Sequence, residues 1–284
     1  MDLLSEPLGD GLHRATFPLP FGPRHVHAYL IEDDDGWTIV DTGLALPDTA
    51  ARWTAVLASL GRPEIRRIVI THFHPDHVGA AGPLADLTGA PVWEAAGDAA
   101  QAELVYVEQP PLEPYLVLHG MPPDLAAAGG GAAAYGGMVE LAPATRSFAE
   151  GESFEAGGTT WRFVRFAGHA DWQHGLLDER DGRLLCGDHL LDTVTPTIGL
   201  YPNGSQDPLG DYLAALDRVR TLAPAVAHAG HGEPMTDPAG RAAEIDGHHA
   251  ERLRDHMVVL DAGPATGWAV ALELFGDALA PVDA

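Results

Sequence analysis

The chain has no lysine: all sixteen of its basic side chains are arginine. Chemistry that needs an amine, such as Schiff-base formation or a P-loop lysine gripping phosphates, is therefore excluded. Cysteine is almost absent too. Cys186 stands alone, which excludes an intrachain disulfide and any multi-cysteine zinc knuckle. Positive charge is scarce, with 16 Lys+Arg against 41 Asp+Glu and a formal net charge of −25. Such a surface repels phosphate backbones, so no nucleic-acid partner is expected. No run of about 18 apolar residues occurs, so neither a transmembrane helix nor a membrane partner is expected. The N-terminus, MDLLSEPLGDGLHR, lacks a basic segment followed by a long apolar core. It does not read as a signal peptide, and the expected compartment is the cytoplasm. What remains is an ordinary globular balance, 46% hydrophobic and 20% charged, over 284 residues. That length suits one large domain or two small ones.

Local patterns alternate between strand and helix. VHAYLIEDDDGWTIVDTG (Val26–Gly43) predicts a hairpin around the acidic turn Asp33-Asp34-Asp35-Gly36. Asp48–Gly61 has helical periodicity with a glycine stop, EIRRIVITH is a short buried strand, HVGAAGPLADLTG a small-residue helix and APVWEA a strand. Gln101–Ser147 is rich in Pro and Gly and reads as an insertion, either a partly helical lid or a tolerated surface loop. From Phe148 the pattern is all strand, with a hairpin at Glu179–Gly182. Asp207–Ala223 is an amphipathic helix, PAVAHAGHGEP a strand ending in a loop, and about Pro238–Leu260 a final helical region. The chain is thus two successive mixed α and β halves.

The chemistry concentrates at strand ends. THFHPDH (Thr71–His77) packs three histidines and an aspartate into six residues directly after an apolar run. Histidine is the commonest metal-binding side chain and aspartate a hard oxygen donor. Asp41, His169, Asp188 and His231 likewise stand at or just beyond the ends of predicted strands, each beside glycine or close to it. Strands fix ligand position and glycines let the backbone come close, which is what a rigid metal site needs. Single histidines at strand ends are usually structural, but five such stretches in order are not readily explained that way. So large a set of N/O donors suits two borderline divalent ions, zinc first, with iron or manganese also compatible.

These motifs together resemble the metallo-β-lactamase superfamily: T-H-x-H-x-D-H at Thr71–His77, Gly168-His169, Gly187-Asp188, Gly230-His231-Gly232 and the early turn Val40–Gly43. The resemblance runs from about Val26 to Glu233. It implies a four-layer αββα sandwich with metals at one edge of the two sheets. It also implies that His72, His74 and His169 hold a first ion, that Asp76, His77 and His231 hold a second, and that Asp188 bridges them. Residues 1–240 are expected to form this catalytic domain, with 101–147 as its lid insertion and 241–284 as a C-terminal helical tail. The His248–Leu253 stretch resembles a pattern of a glyoxalase-II-like and lactamase-like subgroup, in which a small winged-helix-like tail follows.

The implied reaction is hydrolysis by a metal-bridging hydroxide, with Asp76 also orienting the nucleophile or relaying its proton. Asp41 is expected to orient the first motif from behind. His189 either contacts substrate or packs, and Tyr201 either reaches the site as a hydrogen-bond donor or packs under its loop. His228 is the alternative ligand should His231 point away. His25, His27, His119, His248, His249 and His256 lack metal spacing, and Cys186 is expected in the core. The leading substrate class is a small ester, thioester or lactone. A β-lactamase, an RNA-cleaving nuclease of the same superfamily and a non-catalytic metal-binding protein are the alternatives, and a homodimer is left open. The only tight arginine group, Arg62, Arg66 and Arg67, lies at the start of the strand leading to His72, away from the ligands. That placement counts against RNA.

Overall fold

In the computed structural model, which describes residues 4–128 and 135–276, the chain opens on two antiparallel strands that the sequence pattern leaves unassigned. These are β1 (Glu6–Gly9) and β2 (Leu12–Pro18). The expected hairpin follows as β3 (His25–Asp33) and β4 (Gly36–Val40), then α1 (Thr49–Ser59) and β5 (Ile65–Val69). The small-residue segment beyond is two helices rather than one, α2 (Pro75–Val78) and α3 (Ala81–Thr88). It breaks because the intervening backbone bonds outward: Ala80 N–H donates to Gly43 O, and Gly79 O accepts from Glu140 N–H.

After β6 (Val92–Ala95) the inserted segment runs through α4 (Ala96–Glu103), a π-helical turn (Leu104–Glu108), α5 (Glu113–Leu118), α6 (Pro123–Ala128) and a 3-10 turn (Gly136–Met138). Read from sequence, 144–147 belongs to this insertion. In the structure β7 (Ala144–Phe148) is instead the edge strand of the first sheet, pairing in parallel with β6. Its middle residues are exposed and polar, so no apolar run announces it. The first sheet has the order β1-β2-β3-β4-β5-β6-β7.

The second sheet holds β8 (Ser153–Ala156), β9 (Thr159–Arg165), β10 (His174–Asp178), β11 (Arg183–Gly187) and β12 (Val226–Ala229), in the order β12-β11-β10-β9-β8. α7 (Pro208–Leu222) and α8 (Pro238–Leu260) pack on its outer face, and α9 (Gly267–Phe275) follows. Both large helices start with the same device, Asp-Pro-x-Gly. Asp207 accepts from Gly210 N–H, and Asp237 from Gly240 N–H, each at 2.9 Å. The proline after each aspartate fits the first helical position, where its missing N–H costs nothing. α8 packs Ala242 and Ile245 on the second sheet, whereas Glu251–Leu260 has no fully buried residue. Among the described residues no helix is long and apolar enough to cross a membrane.

Strand alternation builds the four αββα layers. On β3, Val26, Ala28 and Leu30 face α1 and α3, while Tyr29 and Ile31 face the second sheet. On β11, Leu184 and Cys186 face α7 and α8, while Leu185 faces the first sheet. Cys186 is accordingly a core residue, its thiol pushed up to about 12 by burial. The two sheets meet in an aromatic seam in which Phe148 and Phe163 stack with centroids 3.8 Å apart. With both sheets clamped by this seam, Phe163→Ala should destabilise the fold by about 3–5 kcal/mol in denaturant unfolding. Wild-type stability of that variant would show that the seam is not what holds the sheets together.

Candidate metal centre

One edge of the sandwich collects the C-terminal ends of β4, β5, β9, β11 and β12. Just beyond them stand Asp41, His72, His169, Asp188 and His231, and the short α2 adds Asp76 and His77. All seven expected ligands come together here. Their donor atoms form three overlapping groups, each within 4.8 Å: His72 with His74 and His169, His72 with His77 and Asp188, and Asp76 with His77 and His231. Asp188 lies centrally, with Oδ1 3.4 Å from His77 Nε2 and Oδ2 3.1 Å from His231 Nε2 and 3.7 Å from His169 Nε2. Gly230 makes this closeness feasible, since a Cβ there would fall 2.4 Å from Asp188 Oδ1 and 2.5 Å from the His77 ring.

The imidazoles are oriented by what holds their other nitrogen. His77 Nδ1 lies 2.8 Å from Asp41 Oδ2, His169 Nδ1 2.8 Å from the Thr197 carbonyl, and His231 Nδ1 2.6 Å from the His25 carbonyl. Carbonyls and carboxylates accept, so each Nδ1 donates and each Nε2 is turned toward the centre. His72 follows the same rule at one remove. Its Nδ1 is 3.0 Å from Thr71 Oγ1, and that hydroxyl donates to Asp41 Oδ2 at 2.8 Å. His74 instead turns Nδ1 toward His169 Nε2, 2.8 Å away. Asp41 thus has the orienting position expected of it, and its Oδ1 also accepts from Thr71 N–H at 2.8 Å.

These residues fit a bound cation. His72 Nε2, His77 Nε2 and Asp188 Oδ1 are buried with no hydrogen-bond partner among the described residues. Buried lone pairs are costly unless something satisfies them, and here all three point into one place. Burial holds His72 well below its ordinary range and His74 at about 3, so both stay neutral. His77 and His231 shift the other way: burial opposes their charge, but the neighbouring carboxylates, Asp188 first, outweigh it and raise His77 well above its usual range and His231 to about 10, holding protons that a bound cation would displace. Burial opposes charge on Asp188 as well, but His77 and His231 outweigh it and hold its carboxyl well below the usual range.

The remaining sequence candidates fall in different places. His189 is fully buried, stacked on Phe166 at 4.5 Å and bonded through its carbonyl to the Tyr212 hydroxyl, which is the packing alternative. His228 packs at a tilt against Tyr29, centroids 5.9 Å apart, and belongs to none of the three groups, while His231 points inward. Tyr201 is 43% exposed and lines a narrow cleft that reaches His169. His27 braces the His231 loop through the Gly232 carbonyl at 2.9 Å.

One feature escaped the sequence pattern altogether. Glu94 and Asp98 are 3% and 1% exposed, lie against one another, and have no cationic partner. Asp98 faces the backbone amide of Phe73, between His72 and His74. Burial pushes Glu94 up to about 7 and, with the Glu94 charge added, raises Asp98 well above the usual range. The pair therefore keeps at least one proton at the back of the ligand loop. Two acids in the otherwise apolar APVWEAAGD were the available signal.

Residues 21–231 match the metallo-beta-lactamase superfamily. The chain is 29% identical over 272 residues to the probable metallo-hydrolase YqjP of Bacillus subtilis (strain 168), covering 91% of this chain and 83% of that protein. It is 22% identical over 247 residues to the atrochrysone carboxyl ACP thioesterase dmxR1 of Cryptosporiopsis sp. (strain 8999), covering 86% of this chain and 60% of that protein. Among solved structures, a metallo-beta-lactamase family protein from Thermus thermophilus superposes with a TM-score of 0.83 at 32% identity, covering 95% of this chain and 89% of that one.

Two outcomes follow from the geometry. Asp41→Asn leaves the ligands in place but removes an acceptor that orients His77 and, through Thr71, His72. Metal affinity in chelator competition should fall roughly 10–100-fold, and unchanged affinity would show that the ligands orient themselves. Glu94 keeps its proton in the folded state up to about 7, whereas the unfolded chain loses it near the ordinary carboxylate value, so folding binds a proton in that window. Stability from this group therefore falls as pH rises between the two values. The melting temperature of Glu94→Gln relative to wild type should climb from pH 5 to pH 8, and a pH-independent difference would contradict the assignment.

Proposed function

Because the chain belongs to the metallo-β-lactamase superfamily and is a metal-dependent hydrolase, we propose that it holds two divalent ions, zinc first, and hydrolyses a small ester, thioester or lactone. The observation that carries the pair of ions is the central Asp188, whose Oδ2 lies between His169 Nε2 at 3.7 Å and His231 Nε2 at 3.1 Å, histidines assigned to different ions. His72, His74 and His169 would hold one ion, Asp76, His77 and His231 the other, and Asp188 both. When bound, such ions supply an activated water and polarise the scissile carbonyl. The protein's part is orientation and proton handling. Asp76 offers Oδ2 to His231 at 3.2 Å, leaving its other oxygen to orient a water or take its proton. The Thr197 and His25 carbonyls keep His169 and His231 from rotating out of the site.

The bond cleaved is argued from what surrounds the site. A β-lactam carries a carboxylate, and this chain has no lysine to receive it. Arg66 pairs with Asp35 at 2.8 Å, and Arg67 lies over Trp93 at 4.8 Å, at the opposite end of β5 from the ligands. Neither is placed to lead a phosphate backbone inward, so RNA cleavage is disfavoured. The likeness to a protein named as a thioesterase, distant as it is, supports the carboxylic-ester side of the choice.

The test is a panel of chromogenic esters, thioesters, lactones, nitrocefin and bis-p-nitrophenyl phosphate on metal-loaded protein. Turnover is expected on at least one of the first three. Cleavage of nitrocefin or the phosphodiester alone would overturn the reading. Asp188→Ala should lose both turnover and at least one ion by elemental analysis, and retention of both ions would show that Asp188 does not bridge.

A further inference from the structure

Of the six tyrosines, Tyr115 packs on His119 at the end of α5, and the other five fall into two kinds. Tyr29 and Tyr212 are buried, and each hydroxyl donates to a carbonyl, Tyr29 to Ala229 and Tyr212 to His189. Tyr106, Tyr135 and Tyr201 differ. Each is part-exposed, and none of their hydroxyls donates to a described residue. They come from three separate segments. Tyr106, on the π-helical turn, and Phe21 both pack against the core beside the first sheet, and burial raises the Tyr106 hydroxyl, with Asp76, Asp98, Tyr135 and Tyr201 adding to the rise. The Tyr106 ring packs on the apolar cluster of Phe73 and Ala170 beside the ligand loop. Phe73, Ala170 and Tyr201 in turn line the cleft that reaches His169. Tyr135 stands edge-on to Phe21, with centroids 5.5 Å apart.

We propose that Tyr106, Tyr135 and Tyr201 form an aromatic collar over the metal centre that selects substrates whose acyl group carries a flat, uncharged ring. The proposal rests on the ester or thioester reading above and narrows it. Phenol rings offer stacking faces, and their hydroxyls, without partners among the described residues, offer donors to the carbonyl oxygen of such a group. A carboxylate-bearing acyl group finds the opposite. No arginine lines the cleft, Asp171 does, and Asp76 lies close by. Arg165, the basic group on the strand leading there, is turned away onto Trp172 at 4.6 Å and the Asp171 carbonyl at 2.7 Å. The ring of Tyr201 lies against the Gly199 backbone, where a Cβ would fall 2.5 Å from it.

The experiment compares kcat/KM for three thioesters of one thiol, bearing acetyl, phenylacetyl and succinyl groups, on metal-loaded wild type, Tyr201→Ala, Tyr201→Phe and Gly199→Ala. Wild type should prefer phenylacetyl over both others. Tyr201→Ala should lose roughly 3–10-fold on phenylacetyl and little on acetyl. Tyr201→Phe should keep the preference, and Gly199→Ala, which displaces the ring without removing it, should weaken it. Hydrolysis with no acyl preference in wild type, or an equal loss on all three substrates in Tyr201→Ala, overturns the collar while leaving the function standing. If no thioester is cleaved, the function reading fails and binding decides the collar. N-methylphenylacetamide added to holoprotein carrying 13C-labelled tyrosine rings should shift Tyr106, Tyr135 and Tyr201 but not Tyr29 or Tyr212. Shifts absent from those three refute it.

Discussion

The hydrogen-bonding of one carboxylate sets the geometry of the metal centre. Asp41 accepts from the Thr71 amide, the Thr71 hydroxyl and His77 Nδ1. It thereby ties the end of β4 to the end of β5 and to α2, and fixes which nitrogen of His77, and through Thr71 of His72, faces the centre. Its own backbone is held at φ 63°, the left-handed region that few residues other than glycine adopt readily. That conformation costs energy and persists because the surrounding bonds over-determine it. Fully buried at 2% exposure, the carboxylate has no water to compete for these three donors, which makes the arrangement stiff.

The sandwich turns that local constraint into a site. Parallel neighbours β4 and β5 in one sheet, and β11 and β12 in the other, bring their C-terminal ends to a common edge. The aromatic seam between the sheets holds those ends in register with one another. His169 and His231 are then aligned by carbonyls distant in sequence, that of Thr197 in the loop after β11 and that of His25 at the start of β3. His72, His77, His169 and His231 are therefore supported from several directions, each through the nitrogen that points away from the centre. The buried Glu94–Asp98 pair adds a proton-holding support behind Phe73, its retained proton keeping a second negative charge from building up beside the ligand loop.

The residues that gather at this edge were legible in the sequence because their signal is one-dimensional: His, Asp and Gly at strand exits, in order. The hairpin around Asp33–Gly36, the buried strand before Thr71 and the helix from Pro238 to Leu260 were legible from alternation, periodicity and capping residues. What was not legible has physical causes. β7 is polar and exposed, so it carries no alternation. The break between α2 and α3 is imposed by backbone bonds to Gly43 and Glu140. The groups that orient His169 and His231 are main-chain carbonyls, which every residue has and which therefore leave no mark on composition. The relative placement of Tyr106, Tyr135 and Tyr201 depends on how three separate segments fold, and no spacing encodes that.

The central claim is that the two ligand groups hold separate ions with Asp188 shared between them. Anomalous diffraction at the zinc edge from crystals of zinc-loaded protein tests it most directly. Two peaks are expected, about 3.5–4 Å apart, one against His72, His74 and His169, the other against Asp76, His77 and His231, with an Asp188 oxygen near each. A single peak, or two peaks that leave Asp188 uncoordinated, would contradict the account.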